Sequence, residues 1–279
     1  MDLRIATCRP LPEPDVDEDL LLSALRSEGI EPRMVPWQDA HAWADSTPTV
    51  IRSTWDYIHH LDGFRFWIDD LSQRAPLWNP ASVLLPNLHK RYLLDLAAHD
   101  VPVTPTVILA RGSSTDLQAL CESRCWDDVV MKPAVGAGSY DTYRFWVHDP
   151  AAQSRLSVLL EKNDVLLQPY LSSVEDHGER ALVWIDGEFT HAVRKSPRFA
   201  GGEESVSAAV TISVAERAVG EAALATIDAD LLYARVDVAM GSDGVPVVME
   251  LELVEPSLFL LQHPPALRRL VTGIARRLR

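Results

Sequence analysis

The sequence contains few cysteines, which argues against a fold held together by disulfide bonds. Three occur among 279 residues, at positions 8, 121 and 125, whereas disulfide-stapled proteins carry a larger and even number. Cys121 and Cys125 have the spacing of one helix face, but two ligands make a poor zinc site. We interpret all three as small, partly buried core residues.

Basic charge and long apolar runs are also scarce. The chain has 26 Lys and Arg against 40 Asp and Glu, a net charge of −14 at pH 7, which disfavours general binding to nucleic acid or to an anionic membrane. No run of 18 apolar residues predicts a membrane span, and residues 1–15 lack the basic start and apolar core of a signal peptide. We therefore expect a cytoplasmic protein with neither a nucleic-acid nor a membrane partner.

The composition that is present is ordinary for a globular protein. Hydrophobic residues make up 47% of the chain and charged residues 24%. A length of 279 residues predicts one large or two smaller domains.

The first part of the chain alternates between strand and helix patterns. Residues 3–8, 32–37 and 49–51 are patterned as strands, and residues 17–28 carry apolar residues at helical spacing. This order predicts a small α/β domain over residues 1–86, with the exit at residues 79–86, which contain two prolines and no clear period.

The remainder predicts a mixed α/β (α+β) arrangement. We expect helices at residues 88–100, 115–123, 156–162 and 213–227, and strands at residues 129–132, 142–147 and 165–168. Two hairpins are predicted, over residues 180–195 and 232–253, each with a glycine-containing turn. We divide this part into a central lobe, residues 87–171, and a C-terminal lobe, residues 172–279.

Polar side chains share one face of the last predicted hairpin. Alternation places Arg235 and Asp237 on one face of the first strand, and Glu250 and Glu252 on the matching face of the second. A turn at residues 241–244 then predicts that Arg235 lies opposite Glu250.

The same register places Asp237 opposite Val248 and gathers three carboxylates on one face. Carboxylates this close repel one another, and a cation relieves the repulsion. Mg²⁺ prefers oxygen ligands of this kind. The alternative is a solvated sheet face, but such faces normally mix charges, and this one backs onto an apolar face.

A glycine-bearing loop follows Lys132 at the end of a predicted strand. Gly136, Gly138 and Ser139 are small enough to let backbone N–H groups approach phosphate oxygens. The loop matches neither the Walker A nor the dinucleotide-binding pattern. A plain hairpin loop is the alternative interpretation.

Two further lysines hold positions next to predicted elements. Lys90 begins a predicted helix, and Lys195 ends the first hairpin. A two-residue turn at Asp186 and Gly187 would place Arg180, His191 and Lys195 on one face. Taken singly, each residue is by default interpreted as a solvated basic side chain.

In chain order, these features resemble the ATP-grasp superfamily over roughly residues 87–260. The resemblance implies an N-terminal pre-grasp domain and two lobes that clamp ATP. It assigns nucleotide contacts to Lys90, Lys132, Gly136, Gly138, Ser139, Gln168, Pro169, Tyr170, Leu171 and Glu175. Glu175 would hold the ribose, and the backbone of residues 168–171 would read adenine.

The resemblance also implies the catalytic and metal-binding residues. Arg235 and Lys195 would be catalytic, and Asp237, Glu250 and Glu252 would bind Mg²⁺ or Mn²⁺. The final motif of the superfamily is usually Glu-x-Asn, so Glu252 adds a third carboxylate.

Residues 51–57 (IRSTWDY) and 250–257 (ELELVEPS) are similar to the ATP-grasp group that contains the cyclo-ligase closing O-ureidoserine to cycloserine. This predicts an ADP-forming ligase or cyclo-ligase acting on a small amino-acid-like substrate in specialised metabolism. The alternatives are a small-molecule kinase of the same fold and a non-catalytic nucleotide-binding module. Many relatives dimerise, which favours a homodimer.

For the substrate, we expect Arg52 to pair with a carboxylate, because its planar fork suits one, and Glu255 and Ser257 to meet an amino group. Trp55 and Tyr57 are interpreted equally as pocket walls or as core. Residues 199–203 contain two glycines and suit a closing lid, or else an ordinary loop.

Overall fold

The computed structural model describes residues 1–196 and 205–279, and these contain three four-stranded sheets. The N-terminal sheet is parallel, with strand order β2-β1-β3-β4. Its strands are β1 (Asp2–Thr7), β2 (Glu31–Pro36), β3 (Thr49–Ser53) and β4 (Leu77–Trp78), and its helices are α1 (Glu18–Ser27) and α2 (Leu61–Ser72). The α/β unit expected from the first part of the sequence is therefore present, and α2 is an addition to it.

The central sheet is antiparallel, with strand order β5-β8-β6-β7. Its strands are β5 (Val107–Leu109), β6 (Asp128–Pro133), β7 (Tyr143–Trp146) and β8 (Val165–Pro169). The helices of this part of the chain are α3 (Ala81–Asn87), α4 (Tyr92–Ala98), α5 (Leu117–Glu122) and α6 (Pro150–Lys162). The loop between β6 and β7 is the glycine-bearing loop.

The C-terminal sheet is also antiparallel, with strand order β10-β9-β11-β12. Its strands are β9 (Glu179–Ile185), β10 (Glu188–Lys195), β11 (Tyr233–Met240) and β12 (Pro246–Glu252). Its helices are α7 (Ser173–Asp176), α8 (Val214–Ala225) and α9 (Pro264–Arg277). No helix in the two described ranges is both long and apolar enough to cross a lipid bilayer.

The helix predicted over residues 88–100 is present but shorter: α4 begins at Tyr92 and ends at Ala98, and a turn precedes it. α3 lies where residues 79–86 were expected to form an exit without a clear period, and Pro86 is its second-last residue. In the turn, the backbone N–H of Lys90 donates to the carbonyl of Ala134 at 2.7 Å. Lys90 therefore precedes a helix and is tied to the start of the glycine-bearing loop.

The predicted register of the last hairpin was also wrong. Arg235 pairs with Glu252, Asp237 pairs with Glu250, and a bulge at Met249 shifts the pairs beyond them. The extra residue of a β-bulge cannot be read from alternation alone. The four polar side chains nevertheless share one face, as expected.

A second bulge changes the first hairpin. Its turn lies at Asp186 and Gly187 as predicted, but Thr190 is an extra residue in β10. Lys195 therefore pairs with Glu179, and Arg180 pairs with Arg194. Since neighbouring residues of a strand point to opposite faces, the prediction that Arg180 and Lys195 share a face was wrong.

Each sheet falls inside one of the three predicted ranges, but the hydrophobic cores cross these boundaries. Leu3 and Ile5 of β1 belong to the same buried cluster as Val183 of β9 and Leu270 of α9. Another cluster joins α4 to the C-terminal sheet. The N-terminal and C-terminal sheets are thus held together by shared burial, which fixes the walls of the space between them.

We predict that Asn79→Ala lowers the free energy of unfolding by about 2–4 kcal/mol, because it leaves buried backbone groups unpaired. The Asn79 side chain is buried. Its Nδ2 donates to the carbonyls of Tyr233 and Leu253, and its Oδ1 accepts from the N–H of Leu232, each at 2.8 Å. Chemical denaturation measures the loss, with the exposed Gln73→Ala as the control. Equal stability of the two variants would contradict this account of the interface.

Candidate active site

A cavity of about 790 Å³ opens between the three sheets, a size typical of small-molecule sites. Residues from all three parts of the chain line it. Fifteen of the eighteen predicted site residues lie in its wall: Lys90, Lys132, Gly136, Gly138, Ser139, Gln168, Pro169, Tyr170, Leu171, Lys195, Arg235, Glu250, Glu252, Glu255 and Ser257. The other three, Arg52, Glu175 and Asp237, lie outside the wall.

Glu250 stands between two lysines from different parts of the chain. Lys90 Nζ donates to Glu250 Oε2 at 3.0 Å, and Lys132 Nζ contacts Glu250 Oε1. Burial by itself raises the pKa of Glu250, but Lys132 and Lys90 outweigh it and hold that pKa well below its usual range. Burial likewise opposes the charge of Lys90, and Glu250 more than compensates, so the pKa of Lys90 is raised.

Asp237 is the centre of a second set of ion pairs. Arg235 donates to it through Nε at 2.8 Å and Nη2 at 2.9 Å, and Lys195 Nζ donates at 2.7 Å. Burial raises the pKa of Asp237, but the nearby charges of Arg235 and Lys195 lower it by a larger amount. The net pKa therefore lies below the usual range. Asp237 is fully buried beneath these two side chains.

Glu179 and Glu252 extend this second set. Lys195 Nζ lies 2.6 Å from Glu179 Oε1, and Arg235 Nη2 contacts Glu252 Oε1. Burial raises the pKa of both carboxyl groups. Together with Glu250 and its lysines, they make a belt of alternating acids and cations across the cavity wall.

The carboxylates fit a hard divalent cation, but they are turned toward basic side chains. Within the described ranges, no three acidic, histidine or cysteine side chains converge as a formed metal site. Asp237, Glu250 and Glu252 each contact Lys or Arg instead. The three carboxylates supply oxygen donors from adjacent positions on paired strands. This arrangement suits Mg²⁺ once phosphates replace the carboxylates as partners of the Lys and Arg side chains.

The glycine-bearing loop reaches the cavity through a strained turn. Gly138 and Ser139 have φ values of +57° and +60°, a conformation that glycine adopts most readily. The next residue, Tyr140, packs its ring edge against His59 with ring centroids 5.2 Å apart. The loop therefore touches the N-terminal part of the chain across the cavity mouth.

The segment after β8 forms another part of the wall. Gln168 donates from Nε2 to Thr106 Oγ1 at 2.9 Å, and Tyr170 stacks beneath the guanidinium of Arg144. Glu175 lies behind this segment, where its Oε1 accepts from Tyr170 Oη and Arg144 Nη1, each at 2.9 Å. The structure thus places Glu175 beside the wall and not in it, and its ribose role stays a prediction.

Arg52 lies behind the cavity wall and not in it. Its side chain is 2% exposed, and Nη1 donates to the carbonyl of Pro256 at 2.8 Å. Arg52 belongs to β3, a strand inside the parallel sheet, so its guanidinium supports the backbone behind Glu255 and Ser257. Its pairing with a substrate carboxylate stays a prediction.

Sequence reasoning missed several residues of the wall. Glu179 was not singled out, although it directly precedes Arg180, because only the bulge at Thr190 brings it opposite Lys195. Tyr92 was also missed; its hydroxyl accepts from the N–H of Leu251 at 3.2 Å. Trp55 and Tyr57 both line the cavity, and Tyr57 is in addition part of a buried cluster. Residues 199–203, the expected lid, lie outside the described residues.

Comparison with known proteins adds independent information. A sequence model of the N-terminal domain of D-cycloserine synthetase DcsG matches residues 3–79. The cycloserine biosynthesis protein DcsG of Streptomyces lavendulae is 35% identical over 286 residues, with 95% of each chain covered. The crystal structure of D-cycloserine synthetase DcsG has a TM-score of 0.90 at 33% identity and covers 100% of both chains.

Two more distant structures share the fold. D-alanine–D-alanine ligase from Bacillus anthracis, complexed with ATP, has a TM-score of 0.72 at 16% identity, covering 99% of this chain and 96% of that one. The ATP-grasp ligase PsnB, complexed with a precursor variant, Mg and ADP, has a TM-score of 0.64 at 17% identity, covering 99% and 98%. At these identities, the likeness shows a common fold alone.

We predict that Glu250→Gln destabilises the protein by about 3 kcal/mol at neutral pH, because buried Lys90 and partly buried Lys132 lose their shared carboxylate. A carboxyl group whose folded-state pKa is lowered stabilises the protein above its unfolded-state pKa, and this stabilisation is lost as the pH falls through the folded-state pKa. The difference between wild type and Glu250→Gln must therefore shrink on acidification below about pH 4.5. Urea denaturation across pH measures it; a difference independent of pH would contradict the ion pairing.

Proposed function

The chain belongs to the D-cycloserine synthetase group of the ATP-grasp ligases, and we propose that it joins the carboxylate of a small amino-acid-like substrate to a nitrogen atom through an acyl phosphate. Enzymes of this family use ATP to form carbon–nitrogen bonds. The observation that carries the proposal is Glu250 held between Lys90 and Lys132 in a cavity that continues past Glu255. One space can hold both the triphosphate and the acid that it activates.

The nucleotide is proposed to lie between β8 and the glycine-bearing loop. Residues 168–171 supply a backbone edge at the cavity wall that suits adenine, and Gly136 to Ser139 would cover the phosphates. Lys90 and Lys132 then exchange Glu250 for phosphate oxygens. This exchange replaces one anion with another around each lysine, so neither buried cation is left without a countercharge.

Asp237, Glu250 and Glu252 would hold the divalent cation, for which we propose Mg²⁺. When bound, such a cation neutralises charge on the phosphates and orients them for transfer. The protein side chains must first release their present partners, since Asp237 lies under Arg235 and Lys195. Those two cations are then available to the oxygens between which the phosphoryl group moves.

Arg235 and Lys195 are the proposed catalytic cations. Both line the cavity beside Glu252 and Glu179. The transferring phosphoryl group spreads negative charge over its oxygens, so fixed cations aimed at it lower the barrier. Their existing bonds to Asp237 hold both side chains in nearly the required place before the substrate arrives.

The acid is proposed to bind beyond Arg235, near Glu255 and Ser257. The relative DcsG is a cycloserine synthetase, and cycloserine is formed by ring closure. We therefore propose an intramolecular capture of O-ureidoserine type, in which the nitrogen and the activated carboxylate belong to the same molecule. A kinase of this fold would instead release a stable phosphorylated acid.

We predict that the purified protein with ATP and Mg²⁺ releases ADP and inorganic phosphate in equal amounts only when O-ureidoserine or a related amino acid is present. The assay screens amino acids and their O-substituted derivatives, scoring ADP, phosphate and product by mass spectrometry. ADP without free phosphate would indicate the kinase instead. Binding of ATP without turnover on any acid would indicate a nucleotide-binding module.

We further predict that Asp237→Asn and Glu250→Gln each abolish measurable turnover and weaken Mg²⁺-dependent nucleotide binding. Each removes a negative charge from the proposed cation site without changing side-chain size. Calorimetric titration with ADP, with and without Mg²⁺, separates the metal-dependent part of the affinity, and the exposed Glu161→Gln serves as the control. Unchanged kinetics and Mg²⁺ dependence in both variants would remove these residues from the metal site.

A further inference from the structure

Residues 253–257 follow β12, and side chains from other parts of the chain donate hydrogen bonds to their backbone carbonyls. We call these residues the clamped segment. Each of its five successive carbonyls lies within hydrogen-bond distance of a side-chain donor, and the carbonyl of Val254 shares the single Tyr233 hydroxyl proton with the carbonyl of Ile51. The donors are Asn79 to Leu253 (2.8 Å), Tyr233 to Val254 (2.9 Å), Trp55 to Glu255 (3.1 Å), Arg52 to Pro256 (2.8 Å) and Arg235 to Ser257 (3.3 Å).

Most of these donors are themselves buried. Arg52 is 2% exposed and Asn79 and Tyr233 are fully buried, so the clamped segment rests on the packed interior between the N-terminal and C-terminal sheets. A site residue performs best when its own position is fixed by surrounding hydrogen bonds and packing. The clamp therefore prepares a precise location for the side chains of Glu255 and Ser257, which lie in the cavity wall.

Glu255 differs from the other carboxylates of the site. Asp237, Glu250 and Glu252 each have a basic partner within salt-bridge distance, whereas no such pair is found for Glu255 among the described residues. The charged or titratable groups that act on Glu255 are Glu252, Lys90, Tyr57 and Arg235. Burial, followed by Glu252, raises its pKa to about 8.

Carbon–nitrogen bond formation requires a proton acceptor. The nitrogen that attacks an acyl phosphate must lose a proton, and a carboxylate engaged by Lys or Arg is a poor base. Glu250 and Asp237 are engaged in this way, and Lys90 is held in its protonated form by Glu250. Glu255 is the carboxylate in the clamped part of the wall that remains available.

We propose that Glu255 accepts the proton of the attacking nitrogen, and that Arg52 and Trp55 position it by holding the clamped segment. The proposal rests on the proposed function, since it concerns the second half of that reaction. The nitrogen forms a bond to the acyl carbon, the bond from that carbon to the phosphate oxygen breaks, and inorganic phosphate leaves. The proton from nitrogen passes to a carboxylate oxygen of Glu255 and then to solvent.

The test separates capture of the acyl phosphate from its formation. Glu255→Gln keeps the size and hydrogen-bonding capacity of the side chain but removes the base. Added hydroxylamine is unprotonated at neutral pH and attacks acyl phosphates without help from a base, giving a hydroxamate. With ATP, Mg²⁺ and the substrate identified in the screen, Glu255→Gln should lose about 10²-fold or more of its ligated product, and should still form hydroxamate at nearly the wild-type rate.

Trp55→Phe extends the test to the clamp, because it removes the hydrogen bond to the Glu255 carbonyl and retains an aromatic ring. We expect its ligated product to fall several-fold, within the range of about 10-fold for one hydrogen bond, with hydroxamate formation retained. Glu161→Gln, an exposed Glu-to-Gln change, is the matched control for both rates. Thermal unfolding of each variant confirms that the fold is intact.

Three results would overturn the inference. An equal loss of product and hydroxamate in Glu255→Gln would mean that Glu255 binds the substrate and does not accept its proton. Unchanged product formation in the same variant would deny Glu255 any role in capture, and unchanged product formation in Trp55→Phe would deny the clamp its positioning role. Failure of the proposed function looks different, because the wild-type protein would then form no ligated product, whether or not it forms hydroxamate.

Discussion

The site depends on one constraint: several carboxylates are buried close together, and neighbouring lysine and arginine side chains must neutralise them. Glu250 is surrounded by Lys90 and Lys132, and Asp237 by Arg235 and Lys195. Neither set could be buried alone without a large loss of solvation energy. The free protein therefore keeps these groups charged by pairing them with one another, and in the proposed function phosphates and a divalent cation take over the same pairings.

This constraint also explains how separate parts of the chain are held around the cavity. Lys132 ends a strand of the central sheet, Lys90 lies between two helices, and Glu250 belongs to the C-terminal sheet. A hydrophobic cluster that spans the N-terminal and C-terminal sheets fixes the rest of the frame. Side chains of that frame, among them Asn79 and Arg52, then hold residues 253–257 against the cavity. Packing, hydrogen bonding and charge thus converge on the strand that carries Glu250 and on the segment after it.

Sequence reasoning recovered much of the site because its residues follow strand alternation and a family order of motifs. Arg235, Asp237, Glu250 and Glu252 share a face as alternation requires, whatever the register. Their true partners could not be predicted, since the bulges at Met249 and Thr190 leave no periodic signal. Pro86 and the polar turn after it hid α3, and α2 and α9 were overlooked altogether. The burial of Arg52 could not be predicted either, because it depends on contacts with residues about 200 positions away.

The central claim is that the contact between Lys132 and Glu250 marks the place of the magnesium-bound phosphates. A crystal structure of the protein with Mg²⁺ and a non-hydrolysable ATP analogue tests it most directly. The account predicts that Lys90 and Lys132 turn to phosphate oxygens, and that Glu250 turns to the metal together with Asp237 or Glu252. Phosphates bound elsewhere, with both lysines still on Glu250, would contradict it.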